Sequence, residues 1–392
     1  MLIILLLSCA LLLIVLFFPV DLFRKRAVRS GPDSQVDERD VMFARMSRVE
    51  GTPEYDEYYV RRPELKKEDD RIRAMIPLYV PGSRYYHPEI TGEAERYFES
   101  IYDIEPDPAI IKKWQERFPK NVDHSGLVRE MVRALGAVAV GFAPLPHEYI
   151  YTHKGRFAED YGHEIRLDHP TAIVFLIEMD FDQMQRAPHA EAIRESARQY
   201  YRAAVIARTV EAVLKAAGYG AKAHYDAHYD VILPPLAIEA GLGEIGRNNI
   251  LIADRFGSRV RIGAVTTDLR LKHDGHVRLG ADEFCSICRK CAENCPSRAL
   301  SNGEKEWVRG VEKWPTDTEK CYSYWRQVGS DCGICMAVCP FSHRNNRLHN
   351  LVRMIIPLNP WLRRIALIFD DLIYGRKPRP GRAIPTDGLH VE

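Results

Sequence analysis

The chain has 392 residues, enough for two or three domains and a substantial core. Its 55 basic and 54 acidic residues leave a formal net charge of only +1. That balance lacks the cationic excess that phosphate backbones select, so nucleic acid is not an expected partner.

Met1 to Val20 is a nearly unbroken apolar run, about the ~20 residues that a helix needs to cross a bilayer. No basic region precedes it and no small-residue cleavage site follows, which argues for an uncleaved anchor over a removed signal peptide. Arg24, Lys25, Arg26 and Arg29 come directly after it. The positive-inside rule then puts the rest of the chain in the cytoplasm. Residues 24–105 are polar, broken by Gly and Pro, and carry charge clusters such as Lys66-Lys67-Glu68-Asp69-Asp70. They read as an extended arm with little regular structure.

From Asp107 helical and strand-like patterns alternate. Helices are predicted near 108–118 and 125–135, and buried strands at 137–140 and, most clearly, Thr171 to Glu178. A long Ala-, Arg- and Glu-rich helix follows from Ala190 to Ala217, and Gly218 is placed to end it. Short strands are expected at 221–224, 250–253 and 260–265. The order strand, helix, strand indicates an α/β core. Gly241-Leu-Gly243-Glu-Ile-Gly246 has the spacing of a dinucleotide fingerprint, but that motif must follow a strand and open a helix. Here residues 235–240 read as a short helix that Gly241 terminates, so a tight turn against a bulky group is expected instead of nicotinamide binding.

Eight of the nine cysteines fall between 285 and 339, and the ninth is Cys9. Cys285-x2-Cys288-x2-Cys291-x3-Cys295-Pro296 is the run of a bacterial 4Fe-4S ferredoxin, and Cys321-x10-Cys332-x2-Cys335-x3-Cys339-Pro340 is the same run with its first gap stretched. In such modules the last Cys of each run serves the other cluster. Cys285, Cys288, Cys291 and Cys339 are therefore assigned to one cluster, and Cys295, Cys321, Cys332 and Cys335 to the second. Zinc also uses C-x2-C pairs but needs no remote Cys-Pro, and a cytoplasmic location disfavours disulfides. The C-terminal part, 346–392, holds a Pro-interrupted amphipathic segment from Leu351 to Tyr374 and then a Pro- and Gly-rich tail.

The stretch from Ala190 to His343 resembles the corrinoid-dependent reductive dehalogenases. The resemblance rests on Ala240 to Arg247 (AGLGEIGR), Phe256 to Arg261 (FGSRVR), Val265 to Leu269 (VTTDL), the two cysteine runs with Cys321-Tyr-Ser-Tyr-Trp325 between them, and Phe369 to Gly375 (FDDLIYG). It implies a nitroreductase-like α/β core that encloses the corrinoid (residues 106–280), followed by a two-cluster ferredoxin-like module (281–345). An N-terminal transmembrane helix (1–23) would precede both. It also implies an active-site Tyr that protonates the substrate carbon beside a basic residue. Those positions fall on Tyr200 and Arg261, with Asp226 or His228 as the third polar group. The loop of Gly241, Gly243, Gly246 and Arg247 falls to cofactor binding. The physics is consistent, since a nearby guanidinium stabilises a phenolate and so eases proton donation.

The corrinoid is implied by the resemblance alone, because the motif D-x-H-x-x-G is absent and Asp226-Ala-His228 fits only its first half. The expected partners are a small organohalide or related substrate and a donor such as ferredoxin, flavodoxin or membrane quinol. Two other readings stay open. One is an epoxyqueuosine reductase-like tRNA-modifying enzyme with an acidic proton donor; the other is a membrane-bound 4Fe-4S electron-transfer protein without catalysis.

Overall fold

The computed structural model describes residues 30–119 and 122–378. The predicted anchor at 1–23 and the extreme C-terminal tail lie outside them. Among the described residues no helix is long and apolar enough to cross a membrane.

The first described part corrects the expected arm, because helices α1 (Met42–Met46), α2 (Pro53–Arg61), α3 (Pro63–Arg73) and α4 (Pro88–Ser100) make up about half of it. Its hidden groups are tyrosines and paired charges, so no aliphatic periodicity marks it. Tyr55, Tyr58 and Tyr59 form a buried cluster on α2. Asp69, from the run that read as solvated, is fully buried, with its Oδ1 2.5 Å from Arg45 Nη2 and its Oδ2 accepting from Tyr59 at 2.8 Å. Arg45 also reaches Glu319 of the cysteine-rich module at 2.6 Å, so this segment packs onto that module.

α5 (Pro108–Gln115) and α6 (Ser125–Ala134) then lead into β1 (Ala139–Pro144) and β2 (Thr171–Glu178). α7 (Phe181–Met184) precedes the long α8 (Ala190–Ala216), which ends as expected before Gly218 in a left-handed conformation. β3 (Ala221–His224), α9 (Leu233–Glu239), β4 (Glu244–Ile245), β5 (Leu251–Ile252) and β6 (Val260–Thr267) complete the core. The main sheet runs β1-β2-β6-β3 with every neighbouring pair antiparallel. Successive side chains of a strand face opposite ways. Ile173, Phe175 and Ile177 of β2 accordingly join the core under α8, whereas Ala172, Val174 and Leu176 join the core under α9. Burial on both faces explains why β2 is a continuous apolar run.

The cysteine-rich module follows as α10 (Ala281–Cys288), α11 (Lys290–Glu293), the hairpin β7 (Glu306–Val308) and β8 (Val311–Lys313), α12 (Thr318–Val328) and α13 (Ile334–Ala337). α14 (Arg347–Ile355) and α15 (Pro360–Tyr374) form the C-terminal helical hairpin. Module and core interlock through the loop before β6. Gly257 has φ +57°, and a Cβ there would collide with the backbone of Phe341. Arg259, fully buried, donates from Nε to the Ser342 carbonyl at 2.6 Å and from Nη1 to the carbonyl of Met179.

Candidate active site

Ser196 and Tyr200 lie one turn apart on α8, and Arg261 pairs with Ile177 in the β2–β6 register, on the sheet face that α8 covers. The strand therefore delivers the guanidinium to the helix. Arg261 Nη2 donates to Ser196 Oγ at 2.5 Å and to Asp331 Oδ2 at 3.2 Å, and its Cζ lies 4.4 Å from the centroid of the Tyr200 ring. Its Nε is buried and has no hydrogen-bond partner.

Burial pushes the Tyr200 hydroxyl well above its ordinary pKa. Arg261 pulls it down, and the charges of Asp226 and Asp331 push it up. The guanidinium thus acts in the direction expected of it, easing proton loss, while burial remains the larger effect. Asp226 is likewise raised by burial, with Arg156, Arg261 and His228 opposing.

His228 occupies a different environment. Its ring lies 5.2, 5.1 and 5.1 Å from those of Tyr102, Phe157 and Tyr225, and Nδ1 is 3.2 Å from the Asp226 carbonyl. Asp226 is thus the member of the pair whose charge acts on Tyr200, and His228 packs in an aromatic box behind it.

Two residues of the site escaped sequence reasoning. Asp331, directly before Cys332, is buried and raised by that burial, and its carboxylate accepts from Ser196, Tyr79 and Arg261. Tyr79 comes from the segment that read as an arm. Its left-handed backbone (φ +65°) accompanies an amide bond to the Gly329 carbonyl at 3.2 Å. Asp331 could have been suspected as an acid abutting a ligand cysteine, whereas nothing local marks Tyr79.

From Asp226 the site continues through Arg156, which bonds the Tyr229 hydroxyl, to Tyr151, whose ring is 5.8 Å from that of Tyr229. Tyr151 in turn lines a cavity of about 290 Å³ together with Ile245, Asn249, Arg309 and Lys313. Neither Arg309 nor Lys313 forms an ion pair among the described residues, and burial beside Arg309 lowers the Lys313 ammonium. The glycine loop borders this cavity through Ile245 and Asn249 only. Gly241, in the left-handed region at φ +70°, faces the Gly275 carbonyl, and Gly243 and Gly246 abut Ile252 and Asn248 of their own turn. Arg247 is buried elsewhere, donating to the carbonyls of Cys285 (3.1 Å) and Ser301 (2.8 Å) and lying 4.4 Å from the Trp314 ring. It is a neighbour of the cysteines and stands apart from the Tyr200 group.

Cys285, Cys288, Cys291 and Cys339 line one hollow with Arg247, Phe284 and Phe341. Cys295, Cys321, Cys332 and Cys335 form a second group: Cys295 acts on Cys321, both act on Cys332, and all three act on Cys335. Burial is the first cause of the upward shifts, with Cys291 and Cys332 pushed up to about 12 and Cys321 to about 11. Such thiols stay protonated alone and become thiolates only against a metal. Among the described residues no three ligating side chains converge tightly enough for a single metal ion.

Comparisons with known proteins agree with this picture. The family described as a 4Fe-4S dicluster domain matches residues 284–343. The tetrachloroethene reductive dehalogenase of Dehalobacter restrictus is 29% identical over 348 residues, covering 76% of this chain and 62% of that protein. The tetrachloroethene reductive dehalogenase of Sulfurospirillum multivorans is 30% identical over 291 residues, 65% of this chain and 58% of the relative. Among solved structures, the catabolic reductive dehalogenase NpRdhA superposes with a TM-score of 0.67 at 25% identity, over 89% of this chain and 47% of that one. The chain thus spans about three-fifths of the curated relatives it matches and half of the solved one. The epoxyqueuosine reductase of Lactococcus garvieae matches at 30% over 112 residues, 27% of this chain and 31% of that protein, and is a distant relative. A reductive dehalogenase-like α/β fold with a ferredoxin-like 4Fe-4S module is therefore present, and the chain is similar to reductive dehalogenases over most of its length.

Proposed function

We propose that the chain is an oxidoreductase that removes halide from an organohalide, using two 4Fe-4S clusters, a corrinoid and Tyr200 as proton donor. The observation that carries this reading is the guanidinium of Arg261, 4.4 Å from the Tyr200 ring and 3.2 Å from Asp331. The core, 106–280, is taken as nitroreductase-like and corrinoid-binding, and 281–345 as the electron-delivering module.

The residues present fit both groups. The grouping of Cys339 with Cys285, Cys288 and Cys291 around one hollow, and of Cys295 with Cys321 and Cys332, supports the crossed cluster assignment. The cavity beside Tyr151 offers Asn249 and the uncompensated cations Arg309 and Lys313, a donor set suited to amide side arms and a phosphodiester tail. The clusters, when bound, supply electrons singly, and the corrinoid supplies the cobalt chemistry of carbon–halogen cleavage.

The overall change takes R–X, two electrons and one proton to R–H and X⁻. Burial keeps Tyr200 protonated at neutral pH, so the proton is held in place until the carbon demands it. When the proton leaves, Arg261 stabilises the resulting phenolate. Ser196 and Asp331 hold the guanidinium in position meanwhile. Asp226 is the third polar group, whose charge acts on Tyr200.

Anaerobic purification with added corrinoid, metal analysis and a screen of halogenated substrates tests the reading. It expects about eight iron and about one cobalt per chain, with halide released from at least one substrate. Iron without cobalt would instead support a pure electron carrier. A second reading draws on Asp226, whose carboxyl burial raises: an epoxyqueuosine reductase-like enzyme with that acid as donor. Turnover on tRNA in place of organohalides would favour it. Placement at a membrane through residues 1–23, with the catalytic part cytoplasmic, and the identity of the electron donor belong to the same proposal.

A further inference from the structure

The C-terminal hairpin is amphipathic with its sides exchanged. Its charges face the protein. Arg353 of α14 donates from Nε and Nη2 to the Phe341 carbonyl at 3.2 and 3.0 Å, and Arg363 of α15 donates to the Ile356 carbonyl at 2.9 Å. Asp370 pairs with Lys290 and, at 2.6 Å, with His343, while Asp371 lies 2.8 Å from Lys290. The outward face carries Leu351 and Met354 of α14 and Trp361, Ile365, Ile368 and Leu372 of α15, each 47 to 74% exposed. The last four recur at helical spacing, so they form one stripe. The exposed charges on these two helices are Arg347 and Arg364. A water-facing helix would have the opposite arrangement.

The position of this face says what covers it. The described chain starts at Ser30, whose hydroxyl is 3.4 Å from His276. From there Arg278 meets Glu283 at 2.6 Å, and Glu283 lies 4.0 Å from Arg363 on α15. The segment before Ser30 is the apolar run of residues 1–20 followed by Arg24, Lys25, Arg26 and Arg29. The start of the described chain, which an apolar run with a basic flank precedes in sequence, is thus linked through His276, Arg278 and Glu283 to the hairpin.

We propose that the outer face of the α14–α15 hairpin beds into the interface of a lipid bilayer, with Arg347 and Arg364 against anionic headgroups. An interfacial helix has this composition: aliphatic side chains and Trp on one face, and few charges, mainly basic. The inner face of the same hairpin packs Val352, Ile356, Ala366 and Leu367 against Cys288 and Cys339. The first cysteine set thus sits about one helix diameter, ~10 Å, from the lipid.

The test uses the full chain in phosphatidylcholine–phosphatidylglycerol vesicles, with photoreactive p-benzoylphenylalanine at Leu351 or Leu372 and, as control, at the exposed Lys112 of α5. Retained iron content and cluster absorbance establish that each variant folds. Lipid adducts at Leu351 and Leu372 about 10-fold above those at Lys112 are expected. Crosslinks to a second copy, crosslinks to residues 1–20, or adduct yields equal to the Lys112 control would each overturn the proposal.

Discussion

Arg261 and Asp331 join the two halves of the molecule at the site: the arginine comes from the central sheet, the aspartate from the residue before Cys332, and they meet at 3.2 Å. The Tyr200–Arg261 group and the second cysteine set therefore share one buried ion pair. Replacing Arg261 by Met leaves Asp331 buried without its cation, which costs about 3 kcal/mol or converts it to the neutral acid. Thermal denaturation should show the loss, and Arg261→Lys should recover stability better than activity, because the ammonium cannot span Ser196, Asp331 and the ring together.

Tyr200→Phe keeps the packing against Phe98, whose ring lies 6.4 Å away, and removes only the hydroxyl. Cluster and corrinoid content should be retained, with turnover down by ~100-fold or more. Unchanged turnover on a confirmed substrate would remove Tyr200 from the chemistry.

Asp226 and His228 are separable by substitution. Asp226→Asn removes a negative charge that raises the Tyr200 pKa, so the alkaline limb of the rate profile should move to lower pH. His228→Ala should open the aromatic box of Tyr102 and Phe157 and lower stability with little movement of that limb.

Cys295→Ser tests the crossed ligand sets. Loss should fall on the cluster held by Cys321, Cys332 and Cys335, although Cys295 follows Cys291 in sequence. Paramagnetic resonance of the reduced protein reads this directly. Selective loss of the other cluster's signal would sink the assignment.

Glu38, buried and accepting from the Gly155 amide at 2.7 Å, is raised to about 7 by burial. The folded protein then binds this proton more tightly than the unfolded chain, whose carboxyl titrates near 4.5. Its contribution is fully present below about 4.5 and is lost as pH rises through about 7, roughly 3 kcal/mol in all. Glu38→Gln should flatten the fall of melting temperature between about pH 5 and 8.

Much of the core was legible because burial on both faces of β2 leaves a continuous apolar run, and because α8 ends at a glycine that accepts a left-handed backbone. The 4Fe-4S module was legible because a cube of iron and sulfur dictates ligand spacing. The helices before residue 105 were not, since tyrosine hydroxyls and buried ion pairs such as Arg45–Asp69 look polar in a sequence whether solvated or hidden. Tyr79 and Asp331 were missed for a related reason. Their roles come from tertiary convergence, and only the fold brings them to Arg261. Arg247 shows the reverse error: a motif neighbour assigned to the cofactor turn instead clasps the carbonyl behind Cys285.

Gly257 pressed against Phe341, with Arg259 holding the Ser342 carbonyl, makes the join between sheet and cysteine module a rivet. The cysteine module is thereby held in one register against the sheet that carries Arg261, so differences in rate among substrates would reflect the substrate and the timing of the proton, with the spacing of module and sheet held constant. A Gly257→Ala substitution, which drives a Cβ into the Phe341 backbone, would act on that spacing alone.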